Sequence, residues 1–335
     1  MNQEISTAEK SVEEIIAGLA RLKKEIHKAI VGQEEIIDQL LITFLAGGHG
    51  LLEGVPGLAK TLMIRSLSEA IDLKFKRIQF TPDLMPTDII GTEILEEDHG
   101  TGKRVFKFNK GPIFANIILA DEINRTSPKT QSALLEAMQE FEVTYGGVTY
   151  PLDRPFFILA TQNPIEQAGT FPLPEAQLDR FLLFIKVSYP TAEEERAILA
   201  GTTGRKGAAI EKAMEGPQIL EAQKIVRDVH INAALIGWVS ELVRATRPKE
   251  TSVKYVRDWV RWGAGPRAGQ AMILTAKARA LLQGRLAVTQ EDIKHVAYPV
   301  LRHRVLVNFK AEAEGITSDE VTKQLLETIT ADKIQ

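Results

Sequence analysis

Residues 54–61, GVPGLAKT, combine glycines with a lysine and a threonine in one short segment. The spacing matches the phosphate-loop pattern G-x-x-x-x-G-K-[ST], with Ala59 in place of its second glycine. In that pattern backbone N–H groups surround the phosphates, the lysine contacts the β and γ oxygens, and the hydroxyl binds Mg²⁺. Alanine is tolerable at position 59 if that residue is already helical, because its methyl group then meets no backbone penalty. The segment predicts nucleotide binding, and an ordinary strand–turn–helix corner is the alternative.

Two adjacent acids, Asp121 and Glu122, follow the apolar run at residues 117–120. The run predicts a buried strand, and ligands of parallel α/β sheets bind at the carboxyl edge of the strands. Asp121 would orient the Mg²⁺ shell there, and Glu122 would polarise a water molecule aimed at the γ-phosphate. A buried strand that ends in a solvated acidic turn is the alternative.

Three further polar residues could take part in the same chemistry. Asn163 follows the next apolar strand and could contact the γ-phosphate and the attacking water, although an asparagine before proline is often only a turn residue. Arg180 could pair with Asp179, or it could reach the nucleotide of a neighbouring subunit as an arginine finger. Arg267 opens a helix, where a solvated arginine is the simplest interpretation.

Helix and strand signals alternate through the first 190 residues. Apolar residues recur at helical spacing over residues 7–30, and further helices are expected over residues 34–46 and from Lys60. Buried strands are predicted at residues 49–52, 75–80, 116–121 and 156–161. Strands separated by helices form a mostly parallel sheet that helices cover, so this part is expected to be an α/β domain.

Two segments interrupt the alternation with hairpin signals. Residues 91–110 are expected to form two strands around a turn at Gly100 and Gly102, and residues 141–150 alternate around Gly146-Gly147. Between them, Ser127-Pro128 is expected to begin a helix, with the serine as N-cap.

After residue 190 the pattern is helical only. Capping boxes begin at Thr191, Thr289 and Thr317, and a glycine-containing loop is expected over residues 201–216. We place a domain boundary near residue 190, which divides the chain into domains at residues 1–190 and 191–335.

Composition and charge limit the class of protein. The chain has 335 residues, a formal charge of −3 and no cysteine, which excludes a disulfide scaffold and argues against an overall basic nucleic-acid binder. The six histidines lack metal-ligand spacing, so Mg²⁺ carried with a nucleotide is the expected metal. Neither a signal pattern nor a sufficiently long apolar run is present, which predicts a cytoplasmic protein without a membrane span.

The motifs occur in an order that resembles a known family, the AAA+ ATPases of the MoxR type. They are GVPGLAKT, Asp121-Glu122, Asn163, Asp179-Arg180-Phe181 and Gly265-Pro266-Arg267-Ala268. GVPGLAKT, with its alanine, is the form of the loop that this family itself uses. The hairpins are similar to the helix-2 insert (about residues 81–113) and the pre-sensor 1 hairpin (about residues 141–152) of chelatase and MCM relatives. The resemblance implies an AAA+ core with a five-stranded parallel sheet, an all-α C-terminal lid, and assembly into a ring that is usually hexameric.

The resemblance also implies roles for individual residues, with ATP and Mg²⁺ as cofactors. Asp121 and Glu122 would be the Walker B acids, Asn163 sensor 1, Arg180 a finger supplied in trans, and Arg267 sensor 2, in cis or in trans. The implied catalytic residues are thus Glu122, Asn163, Arg180 and Arg267. The residues implied to bind the nucleotide, with Thr61 and Asp121 also at the metal, are Val31, Gly32, Gln33, Gly54, Val55, Pro56, Gly57, Leu58, Ala59, Lys60, Thr61, Leu62 and Asp121.

MoxR-type proteins act as chaperone-like remodellers, often with a partner that carries a von Willebrand factor A domain. The resemblance therefore implies an ATP-hydrolysing remodeller of a client protein complex, in maturation or metal insertion. A nucleic-acid motor and a nucleotide-gated assembly module with little turnover stay open as alternatives.

The charges of the hairpins bear on the nucleic-acid alternative. Residues 141–153 contain no lysine or arginine, whereas hairpins that track a strand need cations at the phosphates. Tyr145, Val148 and Tyr150 instead suit apolar or peptide contacts. The clustered cations of the first insert point the other way, toward a phosphate backbone, and cross-strand pairing with the preceding acids is the simpler explanation. Those cations are Lys103, Arg104, Lys107 and Lys110, and the acids are Glu93, Glu96, Glu97 and Asp98.

Overall fold

The computed structural model describes residues 2–97, 104–165, 169–202 and 209–330. The strands are β1 (Gly50–Glu53), β2 (Phe75–Gln79), β3 (Gly91–Glu97), β4 (Arg104–Lys110), β5 (Ile117–Asp121), β6 (Glu142–Tyr145), β7 (Val148–Pro151), β8 (Phe157–Gln162), β9 (Leu183–Lys186), β10 (Val260–Trp262) and β11 (Leu306–Val307). The helices are α1 (Asn2–Ala29), α2 (Glu34–Leu45), α3 (Lys60–Ile71), α4 (Pro86–Ile90), α5 (Pro128–Glu140), α6 (Glu175–Leu178), α7 (Ala192–Thr202), α8 (Gly216–Asp228), α9 (Ala233–Ala245), α10 (Lys254–Trp259), α11 (Pro266–Leu282), α12 (Gln290–Leu301), α13 (Phe309–Ala313) and α14 (Ser318–Thr328).

A parallel sheet of five strands, in the order β2-β5-β8-β1-β9, forms the centre of the α/β part. The side chains of β5 alternate between two cores. Ile117 and Leu119 pack on the side of α1, α2, α3 and the C-terminal helices, and Ile118 and Ala120 pack on the side of α5. This burial on both faces explains why the strands are continuous apolar runs. The predicted α/β fold is confirmed.

The predicted elements agree with the structure to within a few residues. The largest difference is the start of α1, which begins at Asn2 rather than residue 7. Ser127 and Pro128 occupy the expected N-cap and first positions of α5, but the serine side chain does not cap the backbone. Its hydroxyl lies 3.4 Å from Thr130 Oγ1 instead.

Both predicted hairpins are present. Strands β3 and β4 pair from Gly91–Lys110 to Glu97–Arg104, and the predicted turn at Gly100 and Gly102 lies outside the described residues. Strands β6 and β7 join through Gly146 and Gly147, whose φ angles of 57° and 80° suit a tight hairpin turn.

The two hairpins are joined by an aromatic cluster. The Phe108 ring of β4 lies 4.4 Å from the Tyr150 ring and 5.2 Å from the Tyr145 ring. Of the three residues predicted to suit apolar or peptide contacts, Tyr145 and Tyr150 are half-buried between the hairpins, whereas Val148 is exposed. The predicted charge pairing is present at Lys107, whose Nζ lies 3.0 Å from Glu96 Oε2.

The C-terminal part is a helical region in which all three predicted capping boxes form, at Thr191, Thr289 and Thr317. Strands β10 and β11 form a short antiparallel pair that the sequence did not predict, because strands this short have no periodic signal. Among the described residues, no helix is long and apolar enough to cross a membrane.

Candidate nucleotide-binding site

The carboxyl edge of the sheet brings together the three predicted motifs. Residues 54–61, the phosphate loop, follow β1, Asp121 ends β5, and Asn163 follows β8, which lies between those two strands. Lys60 Nζ donates a hydrogen bond of 2.6 Å to the Gly54 carbonyl within the loop. Burial lowers the pKa of Lys60, whereas the nearby Asp121 and Glu122 carboxylates act in the opposite direction.

The backbone of the phosphate loop differs from expectation at Ala59. This residue is the N-cap of α3 and has a left-handed conformation, with φ 56° and ψ 19°. The condition that Ala59 is already helical is therefore not met, because the chain turns at this residue to enter the helix. The conformation costs an L residue about 1–2 kcal/mol. Gly57, with φ 87°, has open space beside its Cα, so its backbone is accessible to a ligand.

The buried Asp121 carboxylate is held from two sides. Thr161 Oγ1 donates to Oδ1 at 2.6 Å, and Arg77 Nη2 and Nε donate to Oδ2 at 2.6 and 3.0 Å. Arg77 lies on β2, two residues before Gln79, which is paired with Asp121 in the sheet. No local pattern pointed to Arg77, because the register of two parallel strands is a property of the tertiary fold.

Glu122 is held in place by both its backbone and its side chain. Its N–H donates to Thr161 Oγ1 at 3.0 Å, so Thr161 contacts both acids. Glu122 Oε2 accepts hydrogen bonds from Gln79 Nε2 at 2.8 Å and Arg125 Nη1 at 3.1 Å. A carboxylate in this position can accept a hydrogen bond from water at the edge of the loop.

Asn163 is buried and lies at the same edge. Its Oδ1 accepts a hydrogen bond of 3.1 Å from the Ile165 N–H, which is the turn role that the sequence left open. The structure thus gives Asn163 both the turn geometry and the location next to the phosphate loop.

An apolar cleft of about 350 Å³ lies beside the phosphate loop. Val31 and Gln33 line it, as expected for residues that flank a base, together with Tyr189, for which no sequence motif gave a signal. Gln33 Oε1 is buried and has no hydrogen-bond partner within the described chain. Gly32 does not line this cleft, and a side chain there would collide with Glu194.

The residues at this edge fit a magnesium nucleotide. The N–H groups in the first turn of α3 have no partner within the helix and are suited to bind phosphate oxygens. The Thr61 hydroxyl and the Asp121 carboxylate are the hard oxygen ligands that Mg²⁺ prefers. Within the described ranges, no group of three or more His, Asp or Glu side chains forms a separate metal site.

Arg180 and Arg267 lie at the opposite, amino edge of the sheet. The Leu182 N–H donates to the His49 carbonyl at 2.7 Å, directly before β1 and β9 begin. The extended segment from His49 to Gly54 is roughly 16 Å long, at 3.3 Å per residue. Both arginines are therefore separated by the length of β1 from the phosphate loop of their own chain. They line one cleft of about 250 Å³, the arginine cleft. Arg267 Nη1 lies 3.5 Å from Asp179 Oδ2.

The floor of the arginine cleft is uncharged. His49 lines it and is fully enclosed between the Met138 carbonyl, 3.0 Å from Nε2, and the Ile158 N–H, which donates to Nδ1 at 3.1 Å. Burial lowers the pKa of His49 to about 4, which keeps the ring neutral near pH 7.

Comparisons with known proteins agree with this geometry. Residues 49–183 match the model of the ATPase family associated with various cellular activities (AAA), and residues 254–325 match the AAA lid domain. The chain is 44% identical to Chaperone MoxR1 of Mycobacterium tuberculosis over 93% of this chain and 81% of the relative. It is 31% identical to Protein MoxR of Paracoccus denitrificans, over 84% and 87% of the two chains.

A solved structure extends the similarity to the fold. The crystal structure of a candidate ATPase from Cytophaga hutchinsonii superposes with a TM-score of 0.90 at 44% identity, covering 98% of each chain. The sheet, its carboxyl-edge motifs and these relatives together establish that this chain belongs to the MoxR family of AAA+ ATPases.

Proposed function

We propose that this protein binds Mg²⁺-ATP at the phosphate loop and hydrolyses it to drive a chaperone-like remodelling of a client protein complex. The observation that carries the proposal is the position of Thr161, which contacts both Asp121 and Glu122 and fixes the two acids beside Lys60. This arrangement supports a metal-binding role for Asp121 and a separate water-activating role for Glu122.

The residues have distinct tasks in this reaction. Lys60 binds the β and γ oxygens, and Thr61 and Asp121 would hold the Mg²⁺ ion, which neutralises phosphate charge when bound. Glu122 accepts a proton from the attacking water, and Asn163 orients that water. Val31 and Gln33, with Tyr189, bind the base.

Arg180 and Arg267 act together on the nucleotide of a neighbouring subunit. Their separation from their own phosphate loop and their shared cleft support this role. A head-to-tail contact in which one subunit's amino edge meets the next subunit's carboxyl edge produces a closed ring, which we infer to be a hexamer. Arg267, which the sequence left open between cis and trans, is therefore proposed to act in trans.

The client is proposed to be a protein rather than a nucleic acid. Leu95 and Phe106 form a cross-strand apolar pair on the first hairpin, and Val148 is exposed on the second. The cation Lys107 is paired with Glu96, which leaves less positive charge for a phosphate backbone. We further infer a cytoplasmic location and a partner with a von Willebrand factor A domain, as the family resemblance implies.

Mixed rings test the catalytic part of the proposal. Glu122→Gln and Arg180→Ala subunits should each be inactive alone, and an equal mixture should regain about a quarter of the wild-type rate, because that share of interfaces pairs two intact partners. Lys60→Ala mixed with Glu122→Gln is the matched control and should stay inactive, because both changes affect the same side of the interface. No rescue in rings whose assembly is verified by light scattering would refute the trans role.

Capture of bound molecules tests the client class. Glu122→Gln protein should retain a client protein in ATP and release it in ADP, as identified by mass spectrometry. DNA or RNA retained only in ATP would instead identify a nucleic-acid motor.

A further inference from the structure

Three consecutive residues after α12, Arg302, His303 and Arg304, bind the backbone that leads into β9. Arg302 Nη1 donates to the Phe184 carbonyl at 3.0 Å, and His303 Nε2 lies 3.0 Å from the Phe181 carbonyl. Arg304 donates to the same Phe181 carbonyl at 2.8 Å and to the Leu182 carbonyl at 3.1 Å. The C-terminal helical region therefore holds the segment that carries Arg180.

Arg304 is the central residue of this contact. It is only 8% exposed, and its Nη1 also donates to the Val300 carbonyl of α12 at 2.7 Å. Its Nε donates to Asp179 Oδ1 at 2.7 Å, and the other oxygen of Asp179 faces Arg267 at 3.5 Å. A buried guanidinium is costly to desolvate unless carboxylate and carbonyl acceptors surround it, and Arg304 has both.

The geometry has a direct consequence for Arg180. Its chain neighbours, Asp179 and Phe181, are both bound by Arg304, whereas the Arg180 side chain is exposed. The backbone of Arg180 is thus fixed without any contact to its charged group. The same carboxylate that binds Arg304 also holds Arg267, so one buried residue sets the position of both exposed arginines.

We propose that Arg304, acting through Asp179, is the positioning residue for the two arginines that serve the neighbouring subunit. This inference rests on the proposed trans role of Arg180 and Arg267. It makes the orientation of the C-terminal helical region part of catalysis, because Arg304 carries any movement of that region to the segment at Arg180.

The first test compares kinetic constants of the full-length protein. Arg304→Met and Asp179→Asn should each lower kcat about tenfold to a hundredfold, the expected effect of a small misplacement, and leave KM for ATP within about twofold. Each should add nothing to the residual single-turnover rate of a variant that lacks both Arg180 and Arg267, because a positioning residue has no effect once the groups it positions are absent. Arg304→Lys, which keeps the charge, should recover part of the loss.

The matched control is Arg285→Met, which breaks another ion pair of the same helical region. Arg285 Nη2 lies 2.7 Å from Asp292 Oδ1, and neither residue contacts the segment at Arg180. This variant should lower the melting temperature and leave kcat unchanged. This comparison distinguishes a loss of kcat caused by misplaced arginines from a loss caused by general destabilisation of the helical region.

The second test locates the defect at the interface. Arg304→Met subunits should be rescued by Glu122→Gln subunits, as Arg180→Ala subunits are, and should not be rescued by Arg180→Ala subunits. Asp179→Asn, at a partly exposed residue, gives the same test if Arg304→Met fails to assemble. Rescue of Arg180→Ala without rescue of either positioning variant would overturn this inference alone. Failure to rescue Arg180→Ala as well would overturn the trans role and this inference together.

Discussion

Arg77 donates two hydrogen bonds to one carboxylate oxygen of Asp121, from Nη2 at 2.6 Å and from Nε at 3.0 Å. The arginine side chain is 48% exposed and the aspartate side chain 13%. A cation on the neighbouring strand therefore occupies the oxygen of the carboxylate that we propose for Mg²⁺. Thr161 binds the other oxygen, so both are engaged.

Removal of the Arg77 side chain should strengthen Mg²⁺ binding at Asp121. We expect Arg77→Gln to lower the Mg²⁺ concentration that half-saturates nucleotide binding by about twofold to fivefold, because a half-exposed ion pair is worth up to about 1 kcal/mol. Titration of Mg²⁺ at fixed fluorescent ADP measures this value. Arg65→Gln, which breaks an exposed pair with Glu69 on α3, should change nothing. A higher Mg²⁺ requirement would show that Arg77 assists the site rather than competing for Asp121.

Lys60→Ala should abolish detectable nucleotide binding. The lysine would contact both the β and γ phosphates, and each hydrogen bond to a charged group contributes about 1.5–3 kcal/mol. Isothermal calorimetry with ATP measures the effect, and Lys76→Ala, at an exposed lysine of β2, should bind normally. Unchanged ATP affinity in Lys60→Ala would refute the assignment of the phosphate loop.

Ala59→Gly should stabilise the protein. Glycine relieves the left-handed strain at φ 56°, and the net gain is about 0.5–1 kcal/mol after the greater freedom of glycine in the unfolded chain is subtracted. Urea denaturation measures the free energy of unfolding. Ala197→Gly, in the middle of α7 and exposed, should instead destabilise by about 1 kcal/mol. Equal destabilisation by both changes would contradict the strained geometry of Ala59.

Because of the buried Asp292, the free energy of unfolding should depend on pH in the acidic range. Burial alone would raise its pKa, but hydrogen bonds from Arg285, Thr289 and Arg279 together lower it to about 2 from 3.8. A lowered carboxylate pKa stabilises the folded state above the unfolded value, so this contribution is complete above about pH 4 and is lost as the pH falls toward 2. Its full size is about 2 kcal/mol.

Comparison of wild type with Asp292→Asn measures this contribution. The difference in free energy of unfolding should be largest near neutral pH and should shrink between about pH 4 and pH 2. A difference that is constant across this range would mean that the ionised carboxylate is not responsible.

The aromatic cluster should make the two hairpins behave as one unit. Phe108→Ala removes the ring that stacks on Tyr150 at 4.4 Å, and such a pair contributes about 0.5–1.5 kcal/mol beyond the buried area. We expect faster hydrogen exchange in residues 142–151, measured by mass spectrometry. Phe106→Ala removes a ring of the same hairpin that is 73% exposed, and it should leave that exchange unchanged. Equal hydrogen-exchange rates of residues 142–151 in both variants would show that the two hairpins are independent.

Much of the fold and half of the candidate site could be predicted from local signals. The apolar runs at residues 117–120 and 156–161 indicated strands because burial on both faces removes polar residues from them. Asp121 and Asn163 could be expected at one edge, because parallel strands that follow one another end on the same side. Loop 54–61 carries its chemistry in consecutive residues, so no tertiary information was needed to find it.

The remaining features depend on which distant segments meet. Arg77 reaches Asp121 only because β2 pairs with β5 in one register, and Arg304 reaches Asp179 only because the end of α12 packs against the start of β9. The left-handed turn at Ala59 depends on the way the loop enters α3, which residue type alone does not reveal.

The family resemblance, the order of the predicted helices and strands, and the residues of the phosphate loop could all be inferred before folding, because each is encoded in neighbouring residues or regular spacing. The cleft that Arg180 and Arg267 share far from that loop could not be inferred in this way. Strand direction and helix packing determine this placement, and both arise from contacts between residues far apart in the chain.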